Sequence, residues 1–300
     1  MVATVAQHVQ QPEHEEYFTV SMTTSKNGSS KRSLLLTLTT SKNGSSKRSR
    51  VLSISRKPTG PVMDLRLVSY IVCCFPPFLT VRGPTDIEGI VDWVTKNADI
   101  AALQEVWGRF PEWTAAFTAK GWTFLRPTRE GHIAALLGSG LAVAFRTSDW
   151  TVADSRLYPF LSAVGLDALA TKGWFRVELR SRASGKPFRL INTHMQSDYE
   201  ICDELWRPIA EPVRMAQAFQ MAEVERRLPA VPTLIIGDWN TEMCWLPEGQ
   251  WLTHHCGPTF PSTHQVLDHC ASWSDQPWVL KSHRVYRIGF SDHWPVVWKF

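Results

Sequence analysis

The sequence predicts an α/β fold, with two β-sheets packed face to face and a few helices on their outer sides. Three observations lead to it. From Asp64 onward, short β-rich runs outnumber the helical stretches that separate them. Several of those runs are apolar at every position, as in strands covered on both faces. Apolar residues make up 44% of the 300, enough to bury a substantial core in one large domain.

The first 63 residues stand apart. Thr23 to Ser33 (TTSKNGSSKRS) recurs unchanged as Thr39 to Ser49, so one sixteen-residue unit is duplicated in tandem. Two polar copies are too few to stack as a solenoid. No acidic residue lies between Tyr17 and Met63, whereas Lys26, Lys31, Arg32, Lys42, Lys47, Arg48, Arg50, Arg56 and Lys57 are all basic. Such a segment buries too little apolar surface to offset its ordering entropy, and the expectation is a disordered basic tail. It suits contact with anionic lipid or nucleic acid, or no specific partner.

The elements of residues 64–300 follow in order. Leu65 to Cys74 is rich in β-formers and reads as the first strand. Thr85 and Glu88 are spaced as a capping box, and Ile87, Ile90, Val91 and Val94 then share one helical face. Ile100 to Leu103 reads as a short buried strand that delivers Gln104 and Glu105 at its end. A helix covers Pro111 to Lys120 and stops at Gly121. Strands are expected over Trp122–Arg126, Gly140–Arg146, Gly173–Leu179 and Phe188–Thr193. An amphipathic helix follows from about Glu211 to Leu228, then a buried strand over Val231–Gly237. Short strands complete the chain, ending with Trp294–Phe300.

Composition excludes some classes. No apolar run approaches the roughly 20 residues that a membrane-spanning helix needs. The N-terminus lacks the basic start and apolar core of a secretory signal. The six cysteines form no CxxC pair, so reduced thiols in an intracellular, cytoplasmic protein are expected. The formal charge of +4 is modest and lies mainly in the tail.

Chemistry concentrates where strands end. Ala102-Leu103-Gln104-Glu105, Leu190-Ile191-Asn192-Thr193-His194, Ile235-Ile236-Gly237-Asp238-Trp239-Asn240, Val266-Leu267-Asp268-His269 and Phe290-Ser291-Asp292-His293 all run from apolar residues into carboxylate, carboxamide or imidazole groups. One polar strand end is ordinary turn chemistry, but five with this content imply a common rim. Glu105 is a hard oxygen donor suited to Mg²⁺, with Mn²⁺ as the alternative. A carboxylate beside an aligned water takes its proton, and His or Asn donors stabilise charge on phosphate oxygens.

The motifs ALQEVW, INTHMQS, IIGDWN, LDH and SDHWP, in this order, resemble the signature set of the endonuclease/exonuclease/phosphatase superfamily, the deoxyribonuclease-I-like fold. The resemblance covers essentially all of residues 64–300. It implies a four-layered α/β sandwich of two mainly antiparallel sheets, with a catalytic site at one end. By the same resemblance Glu105 is the metal-binding carboxylate and His194 the phosphate-side histidine. Asp238 orients or deprotonates the attacking water, and Asn240 is its partner on the phosphate. Asp292 and His293 form the closing pair, with His293 on the scissile phosphate, and Asp268 holds that histidine in its working tautomer. Asp167 to Trp174 (DALATKGW) and Thr193 to Tyr199 followed by Arg214 to Gln217 are similar to the neutral sphingomyelinase branch. On this reading Lys172 brings positive charge to a phosphate; the alternative is a solvated turn lysine.

One position departs from the pattern. The first strand of the family carries an asparagine ligand where this chain has Ile71, which offers no lone pair. Metal affinity is expected to fall. Three functions therefore stay open: a Mg²⁺-dependent phosphodiesterase on a phospholipid headgroup, a nuclease on DNA or RNA, and a non-catalytic binding protein. A monomer is expected, with peripheral attachment to a membrane compatible with the first.

Other features carry less. His254, His255, Cys256, His264, His269 and Cys270 match no zinc-ligand spacing. Trp239, Trp245 and Trp251 suit core packing, or an aromatic rim at a membrane or nucleobase. Gly138-Ser139-Gly140 lacks the rest of a phosphate-loop pattern and reads as a turn.

Overall fold

The computed structural model describes residues 3–4, 17–26, 32–42, 45–52, 64–75, 85–127, 137–198, 203–242, 246–247, 249–252, 257–273 and 278–300. Cys202, Cys244, Trp245, His254, His255 and Cys256 lie outside them. The chain divides into two units, Met1–Pro58 and Thr59–Phe300.

In the first unit the backbone forms Ala3–Thr4 (β1), Tyr17–Lys26 (β2), Arg32–Lys42 (β3) and Ser45–Leu52 (β4), paired antiparallel in that order.

The second unit runs β5 (Arg66–Cys74), α1 (Ile87–Asn97), β6 (Ile100–Val106), α2 (Phe110–Ala119), β7 (Trp122–Leu125), β8 (Ala142–Arg146), β9 (Trp150–Pro159), β10 (Gly173–Ser181), β11 (Pro187–His194), α3 (Asp203–Arg226), β12 (Thr233–Asp238), β13 (Gln250–Trp251), β14 (Asp268–Trp273), β15 (Ser282–Val285) and β16 (Val296–Lys299). Two six-stranded sheets result, ordered β15-β16-β5-β6-β8-β7 and β13-β14-β12-β11-β10-β9. Both have one parallel pair at the centre, β5/β6 and β11/β12, flanked by antiparallel neighbours. A connection bearing a helix joins each parallel pair, because parallel neighbours need a crossover.

Strand alternation sets the layers. One face of the first sheet, with Leu67, Ile100, Ala102 and Phe145, packs against Phe175, Val177, Leu190 and Ile236 of the second. The opposite face, with Val68, Tyr70, Val72 and Leu103, is covered by Ile90, Val94, Trp113 and Phe117 of α1 and α2. Ile191 and Ile235 on the outside of the second sheet meet Ala218 and Met221 of α3. The order is therefore helix, sheet, sheet, helix, a four-layered α/β sandwich. Each aliphatic side chain so buried contributes about 2 kcal/mol.

Several local expectations need correction. Asp86, not Thr85, caps α1: its carboxylate accepts from Gly89 N at 2.9 Å, while Thr85 Oγ1 donates to Cys73 O at 3.2 Å. The Asp86 carboxylate thus takes the first-turn N–H, one position later than Thr85 would, because the Thr85 hydroxyl is already engaged with Cys73 O. Helix α3 begins eight residues before Glu211 and continues through Pro208 and Pro212, although each proline removes an intrahelical bond. Strand β9 was not expected at all. It is an edge strand whose middle is exposed, so TVADSR shows no apolar face to read.

At one end the sheets are tied by polar groups. Gln104 Nε2 donates to Asn192 Oδ1 at 2.7 Å, and Asn192 Nδ2 donates to Leu103 O at 2.8 Å and Ala142 O at 2.9 Å. Both side chains are fully buried. Replacing Asn192 by leucine removes three buried hydrogen bonds at once. Such a change costs about 2–4 kcal/mol, each orphaned group losing about 1–3 before relaxation. Calorimetry should show a clear drop in melting temperature; an unchanged value would remove this clamp from the fold's supports.

Candidate active site

Register, not sequence proximity, assembles the site. In the parallel pair β11/β12, His194 lies opposite Asp238, and in the antiparallel pair β12/β14, Asp238 lies opposite Asp268. Gly173, next to Lys172, lies opposite His194 on β10. Four adjacent strand ends thus present Lys172, His194, Asp238 and Asp268 in a row. The other sheet contributes Glu105 from the end of β6, and Asp292 and His293 from the turn before β16. Gly237 makes the row possible. Its φ is 144°, and a Cβ there would strike the Thr193 carbonyl.

A cavity of about 450 Å³ opens at this rim and is lined by Glu105, Lys172, His194, Asp238, Asn240, Asp292 and His293. Asp268 lies behind it, almost fully buried, accepting from His293 Nδ1 at 2.9 Å. Glu105, Lys172, His194, Asp238, Asn240, Asp268, Asp292 and His293 therefore meet at one place, whereas Gln104, Asn192 and His269 do not line the cavity. Ile71 is buried and faces Gln104 across the β5/β6 pair. A separate depression of about 490 Å³, lined by Asp64, Arg66, Asp99 and Asp149, holds none of these groups.

Burial sets the protonation states. Desolvation pushes the Glu105 carboxyl up to about 7, and the Asp292 charge adds to it. Desolvation likewise pushes Asp238 up to about 7; Asp268 raises it further, while His293 pulls the other way. Burial by itself would lower His293, but the charge and hydrogen bond of Asp268 outweigh it and raise the imidazole to about 9. His293 is therefore an imidazolium at neutral pH. His194 is the opposite: burial first, then the charges of Lys172 and His293, hold it well below the ordinary range, so it is neutral. Its contact with Asp238 Oδ2, at 3.4 Å, is then not an ion pair.

The hydrogen bonds fix orientation. Lys172 Nζ reaches His194 Nε2 at 2.7 Å, Met195 O at 3.0 Å and Asp167 Oδ1 at 3.1 Å. An ammonium only donates, so His194 Nε2 accepts and its proton sits on Nδ1. Lys172 is buried, which excludes the solvated-turn reading. Asn240 donates to Asp238 twice, from its backbone N at 2.8 Å and from Nδ2 at 3.0 Å. It does so from a left-handed conformation, φ 52°. Glu105 at φ 60° and Cys73 at φ 48° are also left-handed, so three strained non-glycine residues border one cavity.

Cys73 escaped the sequence reading. Its thiol donates to Asp292 Oδ1 at 2.8 Å and lies 3.4 Å from Glu105 Oε2. Burial, reinforced by both carboxylates, pushes this thiol well above its usual range, so it is a neutral spacer between two acids. The available signal was alternation: Cys73 is two positions after Ile71 and points to the same side of β5. Asp167, which holds both Lys172 and Ser197 N, was quoted only as part of a motif. Trp239 is buried in the core, and the half-buried Trp251 packs edge-on against it at 4.7 Å between ring centroids.

Comparison with solved structures finds the same fold in proteins of low identity. A double mutant of beta toxin from Staphylococcus aureus with bound magnesium ions is 16% identical, with a TM-score of 0.63 over 79% of this chain and 99% of that one. Sphingomyelinase C from Streptomyces griseocarneus is 16% identical, TM-score 0.62, over 79% and 99%. A humanized TDP2 from D. rerio is 15% identical, TM-score 0.60, over 79% and 98%. No curated protein matches the chain by sequence. The family model for the Endonuclease/Exonuclease/phosphatase family matches residues 78–293, ending at the histidine that lines the cavity. This chain belongs to the endonuclease/exonuclease/phosphatase family.

Proposed function

We propose that this chain is a divalent-cation-dependent phosphodiester hydrolase whose substrate is a phospholipid headgroup. The observation that carries the reading is the convergence of His194, Asp238, Asn240 and His293, from separate strand ends, on one cavity that also holds Glu105 and Lys172.

The donor set suits a hard cation. Glu105 and Asp292 face the same cavity, and their mutual repulsion raises Glu105, a cost that a cation would remove. Among the described residues no three His, Cys, Asp or Glu side chains surround one cation-sized point. Mg²⁺ keeps several waters and takes one or two carboxylates plus phosphate oxygens, a demand that Glu105 and Asp292 together can meet. When bound, the cation would polarise a phosphoryl oxygen. Glu105 would hold it, with Asp292 adjacent; Ile71 withholds the family's further ligand.

The chain's own groups do the rest. Asp238, raised to about 7, has the basicity to take a proton from water near neutrality. Asn240 fixes its carboxylate by two donated bonds. His293, kept charged by Asp268, donates from Nε2 toward a phosphate oxygen. Lys172, steered by neutral His194 and by Asp167, adds positive charge beside it.

The headgroup is favoured over nucleic acid by the lining. Among the described residues, five carboxylates, Glu105, Asp167, Asp198, Asp238 and Asp292, line the cavity, against two cations, Lys172 and the His293 imidazolium, and no arginine. A polyanionic strand needs rows of cations along its path. A zwitterionic headgroup does not. Purified protein should release phosphocholine from sphingomyelin with Mg²⁺ and leave plasmid DNA intact. Nicking alone would transfer the assignment to a nuclease. Silence on both substrates, persisting in Ile71→Asn, would make the site a binding pocket.

A further inference from the structure

Beside the cavity, residues 160–170 (Phe-Leu-Ser-Ala-Val-Gly-Leu-Asp-Ala-Leu-Ala) join β9 to β10 and include the short 3-10 turn Gly165–Leu169. Their one charged side chain, Asp167, is buried and turned inward to Lys172 and to Ser197 N, which it meets at 2.7 Å. What faces water is apolar: Leu161 is 87% exposed, Leu166 69% and Leu169 43%. A flexible loop of this composition would fold its leucines under.

This loop is prevented from doing so by its backbone. Gln220 accepts from Leu161 N at 2.9 Å and donates to Pro159 O at 3.0 Å. Gln217 donates to Ser162 O at 2.8 Å, and Gln196 exchanges bonds with Val164 N at 2.9 Å and Val164 O at 3.2 Å. Gln196 and Gln217 are fully buried. Three glutamines from β11's exit and α3 thus satisfy the loop's polar groups from within, and the leucines are left outside. Holding three leucines in water is unfavourable relative to burial, so the display needs a counterpart.

Resting on the phosphodiesterase reading above, we infer that Leu161, Leu166 and Leu169 form a preset edge that enters the interfacial layer of a lipid bilayer and seats the cavity over the headgroups. Two features select a bilayer over a protein partner. The edge is continuous with the catalytic cavity, since Leu166 and Leu169 line it, so whatever covers the edge must also present the phosphodiester. The exposed part of residues 160–170 carries no charge, and insertion into hydrocarbon asks for no charged partner.

The test uses the full chain with vesicles of dioleoylphosphatidylcholine in EDTA, read by co-sedimentation. A zwitterionic lipid keeps the basic residues 17–63 from contributing, and EDTA separates binding from turnover. Wild type should sediment with the vesicles. Leu161→Ser combined with Leu166→Ser should lower the partition coefficient at least tenfold, as loss of two inserted leucines implies. Val152→Ser and Val279→Ser, exposed apolar residues elsewhere, should not. Melting curves report whether each variant folds, and Leu161→Ala alone gives a milder form of the same loss. Wild type that stays in the supernatant, or a double variant that sediments equally, overturns the inference. So does a wild-type dimer in gel filtration that the double variant dissociates without vesicle binding, which would make the edge a contact between copies. Hydrolysis of soluble bis(p-nitrophenyl) phosphate with Mg²⁺ tests the phosphodiesterase reading separately, because that substrate needs no bilayer.

Discussion

His293→Ala lowers phosphodiester hydrolysis by roughly three powers of ten or more, the combined size of losing a charged donor to the phosphate and its proton. The imidazole is held on one side by Asp268 at 2.9 Å and on the other by the Phe260 ring at 4.7 Å between centroids. Its remaining nitrogen therefore has one direction to serve. The same variant should also be less stable, with a defined pH signature. The folded-state pKa of His293 is raised from 6.5 to about 9, so its stabilisation is complete below about 6.5 and disappears as pH rises through about 9. The melting temperatures of wild type and His293→Ala should differ at pH 6 and converge near pH 10. A variant with near wild-type turnover would remove His293 from the chemistry, and a pH-independent stability gap would remove its charge.

Asp238→Asn should cut the rate by a similar factor, since an amide cannot take a proton from water. Its effect on stability has the opposite sign. A carboxyl raised to about 7 by burial keeps its proton in the folded state over the range where the unfolded chain has lost it. It therefore destabilises the protein progressively from about pH 4 to pH 7, and fully above. Without added metal, Asp238→Asn should melt higher than wild type at pH 8, with the gap closing toward pH 4. An inactive variant that is also less stable at pH 8 would mean that Asp238 is a structural group. Active Asp238→Asn protein would end its role as base.

Much of the fold was legible because each layer writes its own period. The helical face of Ile87, Ile90, Val91 and Val94 is buried as a unit, and the continuous apolar runs Ile100–Leu103 and Leu234–Ile236 are central strands. The failures share one cause. Strand β9 faces solvent along most of its length, the first turns of α3 lie before two prolines, and the α1 cap shifted by one residue. In each case a local polar preference was read where hydrogen bonding to neighbouring elements decided the outcome.

By itself the sequence determined which residues are candidates for the site: Glu105, His194, Asp238, Asn240, Asp268, Asp292 and His293 stand out as acids, amides and imidazoles that end apolar strands. Tertiary structure alone decided what each can do. The register that sets His194 beside Asp238, and Asp238 beside Asp268, removes water from all three. Desolvation, acting with neighbouring charges, then makes one imidazole cationic and the other neutral. The same holds for Lys172, Cys73 and the leucines of residues 160–170, whose types are commonplace. Their partners and exposure come from chain segments far away, and no local window of sequence contains that information.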